Sequence, residues 1–133
     1  IIIKGVLMNT RNTFQRQVIL EFLRKTCSHP SAETIHKVVV KQVPTITLAT
    51  VYRNLNILAD QGIIRRLEVN KEYRYDGCIA NHQHCVCSKC GKILDYMEQE
   101  LTDYALKNIP KKEFKPTKVN MIFEGKCKKC VSN

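Results

Sequence analysis

The chain has 133 residues, of which 44% are hydrophobic and 26% charged, the balance of a folded globular protein rather than a disordered one. Its 22 lysines and arginines outnumber its 12 acidic residues to give a net charge of +10, a surplus that favours polyanionic partners because phosphate neutralisation releases counterions. No run approaches the ~18 apolar residues that a membrane helix requires, and the opening IIIKGVLM is too short for a secretory signal and has no small-residue cleavage site.

The natural start is open, and Met8 is a candidate for it. Seven cysteines without a signal point to metal chemistry in a reducing cytoplasm rather than to disulfides. The basic surplus is spread along the chain: residues 1–77 hold 12 basic and 6 acidic side chains, and residues 78–133 hold 10 and 6. Two small domains meeting near residue 77 would each need a staple, because a core of such size is marginal alone.

In chain order, residues 13–26 are predicted to form a helix capped by Thr13, with Phe14, Val18, Ile19, Phe22 and Leu23 at helical spacing. Pro30 and Ser31 open a second helix that buries Ala32, Ile35, Val38 and Val39 and stops by Pro44. Thr47 caps a third, closed by Gly62. Its Leu48, Val51, Leu55 and Leu58 face a core, leaving Thr50, Arg53 and Asn54 outward with Tyr52 alongside. A strand from Ile63 to Val69 turns at Asn70-Lys71 into Glu72–Tyr75. Three helices and a hairpin follow the winged-helix order.

Beyond Gly77, short strands are predicted around His84–Val86, at Lys92–Tyr96 and at Thr117–Glu124. A helix from Glu98 to Asn108 between the last two directs Met97, Leu101, Tyr104 and Ala105 inward. The expected architecture is α+β: an N-terminal winged-helix DNA-binding domain at 1–77 and a small α/β domain at 78–133. The second would leave an open sheet edge, which pairing with a second copy covers.

Three constellations carry chemistry. Cys87-x₂-Cys90 and Cys127-x₂-Cys130 supply four thiolates at the spacing of a closed, tetrahedral structural zinc site. His82-x-His84 lies between Asp76 and Asp95; alternate residues on an extended segment point the same way, and imidazoles with carboxylates suit Fe²⁺, Mn²⁺ or Zn²⁺. The third helix offers Thr50, Tyr52, Arg53 and Asn54 to a major groove, with Arg65, Arg66, Lys71 and Arg74 of the hairpin as phosphate contacts. Each feature has a plainer reading as buried or redox cysteines, inert paired histidines or a solvated helix face. A zinc-ribbon metallochaperone or interaction module and an iron–tetrathiolate redox protein are the readings from other classes.

Together, QRQVILEFL, HPSAETIHKVV, ITLATVYRNLNIL and HQHCVCSKCGKILDY resemble the ferric uptake regulator family across nearly the whole chain. The resemblance implies a non-enzymatic, homodimeric repressor that binds a double-stranded DNA operator, with a structural Zn²⁺ on the four cysteines and a regulatory metal on His29, Asp76, His82, His84 and Asp95. Aspartate at both 76 and 95 is similar to the peroxide-sensing branch, with Fe²⁺ or Mn²⁺ at the regulatory site. A plain iron- or zinc-sensing repressor of the same family is the alternative. Iron sensors often interleave extra ligands with H-x-H where this chain has Asn81 and Gln83. Cys27, Cys78 and Cys85 have no assigned role, and His36 reads as a packing residue.

Overall fold

The computed structural model describes residues 2, 3, 6, 7 and 10–132, with side chains from 12 onward; Met8, the candidate start, lies outside the described residues. The chain divides into two compact units, Ile1–Ile79 and Ala80–Asn133.

The first unit opens with two short antiparallel strands, β1 (Ile2–Ile3) and β2 (Val6–Leu7). Helices α1 (Thr10–Lys25), α2 (Ala32–Val39) and α3 (Leu48–Asp60) follow, then the hairpin β3 (Arg65–Val69) and β4 (Glu72–Asp76). Its core joins Val18, Ile19 and Leu23 of α1 to Ile35 and Val39 of α2 and Val51, Leu55 and Leu58 of α3, with Ile64 and Tyr75 of β4 completing it. Full burial of each such aliphatic side chain is worth about 1.5–3 kcal/mol.

Local chemistry explains most of these boundaries. Ser31 and Thr47 cap α2 and α3, their hydroxyls accepting from the backbone N–H groups of Thr34 and Thr50. Ile63 and Ile64 donate to the Leu58 carbonyl, closing α3 and delaying the strand to Arg65. Asn70 and Lys71 both have positive φ, at 52° and 66°, as a two-residue turn matched to the twist of its strands requires.

Three expectations for helices α1 and α3 need correction. Helix α1 begins at Thr10, so Thr13 is a buried interior residue and not a cap. Phe14 is 49% exposed; Gln15, Val18, Ile19 and Leu23 make the buried stripe. Asn54 is only 4% exposed: its Nδ2 donates to the Thr50 carbonyl at 2.9 Å and its Oδ1 accepts from Arg16 Nε at 3.2 Å. It sits on the Val51–Leu58 stripe and fastens α3 to α1, so it is not an outward DNA contact.

The second unit is a three-stranded sheet of order β6-β5-β7, with helix α4 (Gln99–Lys107) between β6 and β7 in sequence and a final turn, α5 (Lys128–Val131). Central β5 (Gln83–Cys87) pairs antiparallel with β6 (Ile93–Tyr96) and parallel with β7 (Met121–Gly125). Strand β7 starts at Met121, four residues later than predicted. Thr102 is the buried residue of α4, whereas Met97, Leu101 and Tyr104 are exposed, Tyr104 at 71%. The apolar face predicted to turn inward is open in the single chain.

Asn54→Ala is expected to lower unfolding free energy by about 1 kcal/mol in a urea melt, because the half-buried Arg16 Nε loses its acceptor on α3. An unchanged midpoint would restore Asn54 to the exposed surface.

Candidate metal centres and nucleic-acid interface

The cysteine cluster is built from two turns. Strand β5 ends at Cys87, whose N–H donates to the Lys92 carbonyl while its own carbonyl accepts from Gly91 N–H at 2.8 Å. Gly91 has φ 77°, a left-handed value that a Cβ would oppose, so the chain reverses sharply after Cys90. Cys127 is the N-cap residue of α5 and Cys130 lies within that turn. The turns are tied where Ser88 donates its N–H and hydroxyl to the Gly125 carbonyl.

The four sulfurs lie within 4.8 Å of one another, and Cys90 Sγ is 3.7 Å from Cys127 Sγ. A tetrahedral ion with metal–sulfur bonds of about 2.3 Å separates its ligands by about 3.75 Å, so the cage has the dimensions of zinc. Electrostatics agree. Backbone N–H groups of Cys127 and Cys90 draw the Cys87 thiol down to about 5, and the N–H of Cys130 lowers Cys127. Cys130 is pushed up to about 12 by its hydrogen bond to Cys127 and by burial. Clustered thiols resist shared ionisation until a cation joins them.

On β5 and β6, His84 and Asp95 are register partners. His82 Nε2 and His84 Nε2 are 2.9 Å apart, and each lies 3.4–3.5 Å from Asp95 Oδ1. Adjacent ligands on a six-coordinate ion with bonds of about 2.1 Å are about 3 Å apart, so this trio has the spacing of a metal face. A backbone oxygen orients one ring: His82 Nδ1 donates to the Ala80 carbonyl at 2.7 Å, leaving the lone pair of the neutral ring on Nε2.

The first unit holds a histidine–aspartate pair of its own. His29 Nε2 is 3.5 Å from Asp76 Oδ2, and both side chains are buried. Asp76 ends β4, its other oxygen accepting from Cys78 N–H at 2.8 Å. Gly77 follows against the end of α1, where an added Cβ would meet the Leu23 carbonyl oxygen at 2.6 Å. Sequence reading missed this close approach; a glycine at a composition change was its signal.

On α3, Tyr52 and Arg53 are exposed and Thr50 is half-buried. Tyr52 donates its hydroxyl to Glu33 at 2.8 Å, and this bond is the main cause holding the Glu33 carboxyl below its usual range. Arg53 leans toward the Thr50 hydroxyl. Arg66 donates to Asn56 and stacks on Tyr73, while Lys71 is exposed at the hairpin tip. Arg65 departs from expectation: it is 5% exposed and donates to the Ile79 carbonyl at 3.4 Å, so it is no phosphate contact. Arg74 also turns inward, donating Nε to the His29 carbonyl. His36 Nε2 meets the Ile46 carbonyl at 3.0 Å, the packing role expected of it.

The ferric uptake regulator family model matches residues 8–124. The chain belongs to that family. Members of the ferric uptake regulator family are transcription regulators, and this one is likewise no enzyme. The peroxide-responsive repressor of Staphylococcus epidermidis is 36% identical over 121 residues, covering 90% of this chain and 81% of its own; that of Staphylococcus aureus is 35% identical over the same length. The Campylobacter jejuni peroxide stress regulator superposes with a TM-score of 0.80 at 34% identity, covering 90% of this chain and 91% of its own. The Helicobacter pylori ferric uptake regulator, described with three functional metal-binding sites, gives 0.79 at 27%, covering 96% and 84%. The winged-helix unit followed by a dimerisation-type α/β unit is the architecture these relatives share.

Gly77→Ala is expected to depress the melting temperature of the protein, since its methyl collides with backbone rather than with a flexible side chain. A melt superimposable on that of the parent would show that α1 yields at no cost.

Proposed function

We propose that the chain is a cytoplasmic, homodimeric repressor that binds a double-stranded operator and releases it in response to hydrogen peroxide. In this reading Cys87, Cys90, Cys127 and Cys130 hold a structural Zn²⁺. His29 and Asp76 join His82, His84 and Asp95 around one regulatory Fe²⁺ or Mn²⁺. Functional division follows, with residues 1–77 binding DNA and 78–133 dimerising.

The observation that carries it is the convergence of His82, His84 and Asp95 at metal-face spacing beside a separate, closed thiolate cage. Two donor sets of different hardness suit two ions with different tasks: thiolates retain zinc, and nitrogen with oxygen suits an exchangeable divalent metal. The relatives at 35–36% identity are peroxide-responsive repressors, which favours that signal over a plain iron or zinc sensor. Ferrous iron, when bound, would reduce peroxide and leave an oxidant beside the ligand imidazoles.

The residues of the chain do the remaining work. His82 is held by the Ala80 carbonyl with Nε2 presented, and His29 is held against Asp76. Oxygen addition to either ring would remove a ligand from its unit. Tyr52, Arg53 and Thr50 would meet base edges and phosphates, with Arg66 and Lys71 on the backbone. The open face of Met97, Leu101 and Tyr104 is apolar area for a second copy to cover.

Mass spectrometry of iron-loaded protein after peroxide exposure tests the signal. One added oxygen atom confined to peptides bearing His29 or His82 is expected, together with loss of operator binding in a gel shift. Unmodified histidines would leave a plain metal sensor. Arg53→Ala should weaken specific operator binding by about 1–3 kcal/mol without changing zinc content. Cys90→Ser should lose zinc and dimer together, and a zinc-loaded dimeric variant would refute the cage.

A further inference from the structure

Three consecutive residues of β4 grip one short loop. Arg74 Nε donates to the His29 carbonyl, Tyr75 N–H donates to the Pro30 carbonyl at 3.0 Å, and the Asp76 carboxylate faces His29 Nε2 at 3.5 Å. His29 has φ 51°, in the left-handed region that non-glycine residues seldom occupy. It also precedes Pro30, a position that favours extended backbone. Such a conformation persists only where surrounding contacts over-determine it.

We infer that Arg74 is a positioning residue for the regulatory metal, its Nε–H holding the His29 backbone so that the imidazole meets Asp76. The inference rests on the proposed regulatory site and deepens it. The Tyr75 bond fixes Pro30, one residue further on, and the ring contact with Asp76 acts through the side chain. The Arg74 bond differs from both in taking the backbone carbonyl of His29 itself. Without that donor, the peptide is released to turn toward the extended region, which swings the ring away from Asp76. The two ligands of this unit would then have to be ordered by the metal itself, at the expense of affinity.

Position 74 permits a clean dissection because two uncharged side chains of equal reach differ in whether their terminal atom can donate. Glutamine places an N–H donor, its Nε2, at the same distance along the chain as the arginine Nε; methionine places a methyl carbon there. The probe is Mn²⁺, titrated by isothermal calorimetry into zinc-loaded, full-length protein. Arg74→Met is expected to raise the Mn²⁺ Kd about tenfold or more, the usual loss for an outer partner of a metal ligand. Arg74→Gln should stay within about threefold of the parent, although its charge is gone. Zinc content and the thermal melt verify folding, and Arg74→Leu replaces the methionine variant if that fails either.

An unchanged Kd in Arg74→Met, with affinity lost in Asp76→Ala and His29→Ala, would overturn the positioning role while leaving the metal site intact. Equal losses in the glutamine and methionine variants would assign the effect to charge and overturn it too. Should Asp76→Ala and His29→Ala also bind Mn²⁺ like the parent, the regulatory-site reading itself has failed. Weaker operator binding in both variants at an unchanged Mn²⁺ Kd would return Arg74 to the DNA backbone.

Discussion

The cage of four cysteine sulfurs is the constraint on which the second unit depends. Val86, Cys87 and Cys130 are its buried hydrophobic residues among those described, whereas the first unit buries more than a dozen. The interior of Ala80–Asn133 is largely polar: His82, Gln83, His84 and Thr102. Hydrophobic burial on that scale cannot offset the conformational entropy of ordering over fifty residues. Cross-linking the end of β5 to the C-terminal turn shortens the free chain, and the proposed zinc supplies binding energy that becomes folding energy.

The first unit is assembled on the opposite principle. Its helices share a continuous aliphatic core, and Asn54 is buried beside it with hydrogen bonds to both ends of its amide. The rigidity of that core lets β4 serve two functions at once. One strand forms a side of the hairpin and presents Arg74, Tyr75 and Asp76 to the His29-Pro30 loop. In the proposed mechanism, a change at His29 reaches the hairpin through the Arg74 and Tyr75 hydrogen bonds, without a long chain of intermediates.

Much of this was legible in the sequence. Thr47 and Asn70-Lys71 marked their cap and turn because their chemistry is local. The doubled C-x₂-C announced a cage because spacing alone decides whether two thiolates reach one point. Polarity misled where period should have ruled. Asn54 is three residues from Val51 and four from Leu58, on the buried stripe, and Arg65 is in phase with buried Leu67 and Val69. The α4 face failed for another reason: spacing reveals an apolar side but not what covers it, and Met97, Leu101 and Tyr104 are exposed among the described residues. The inward turn of Arg74 had no sequence signal, since its acceptor is a backbone carbonyl 45 residues away.

Gln83 limits how this chain can diverge. It is fully buried between the two proposed histidine ligands in sequence, and its amide accepts from Glu98 N–H while donating to the Glu98 carbonyl and the Thr102 hydroxyl. Those three bonds moor the start of α4, where no local side chain caps the helix. Replacing Gln83 with histidine or glutamate would place a potential ligand between His82 and His84 in sequence, but it would exchange an anchored helix for it. A further metal preference at this position therefore lies across a fitness valley rather than one substitution away: α4 must first acquire another mooring.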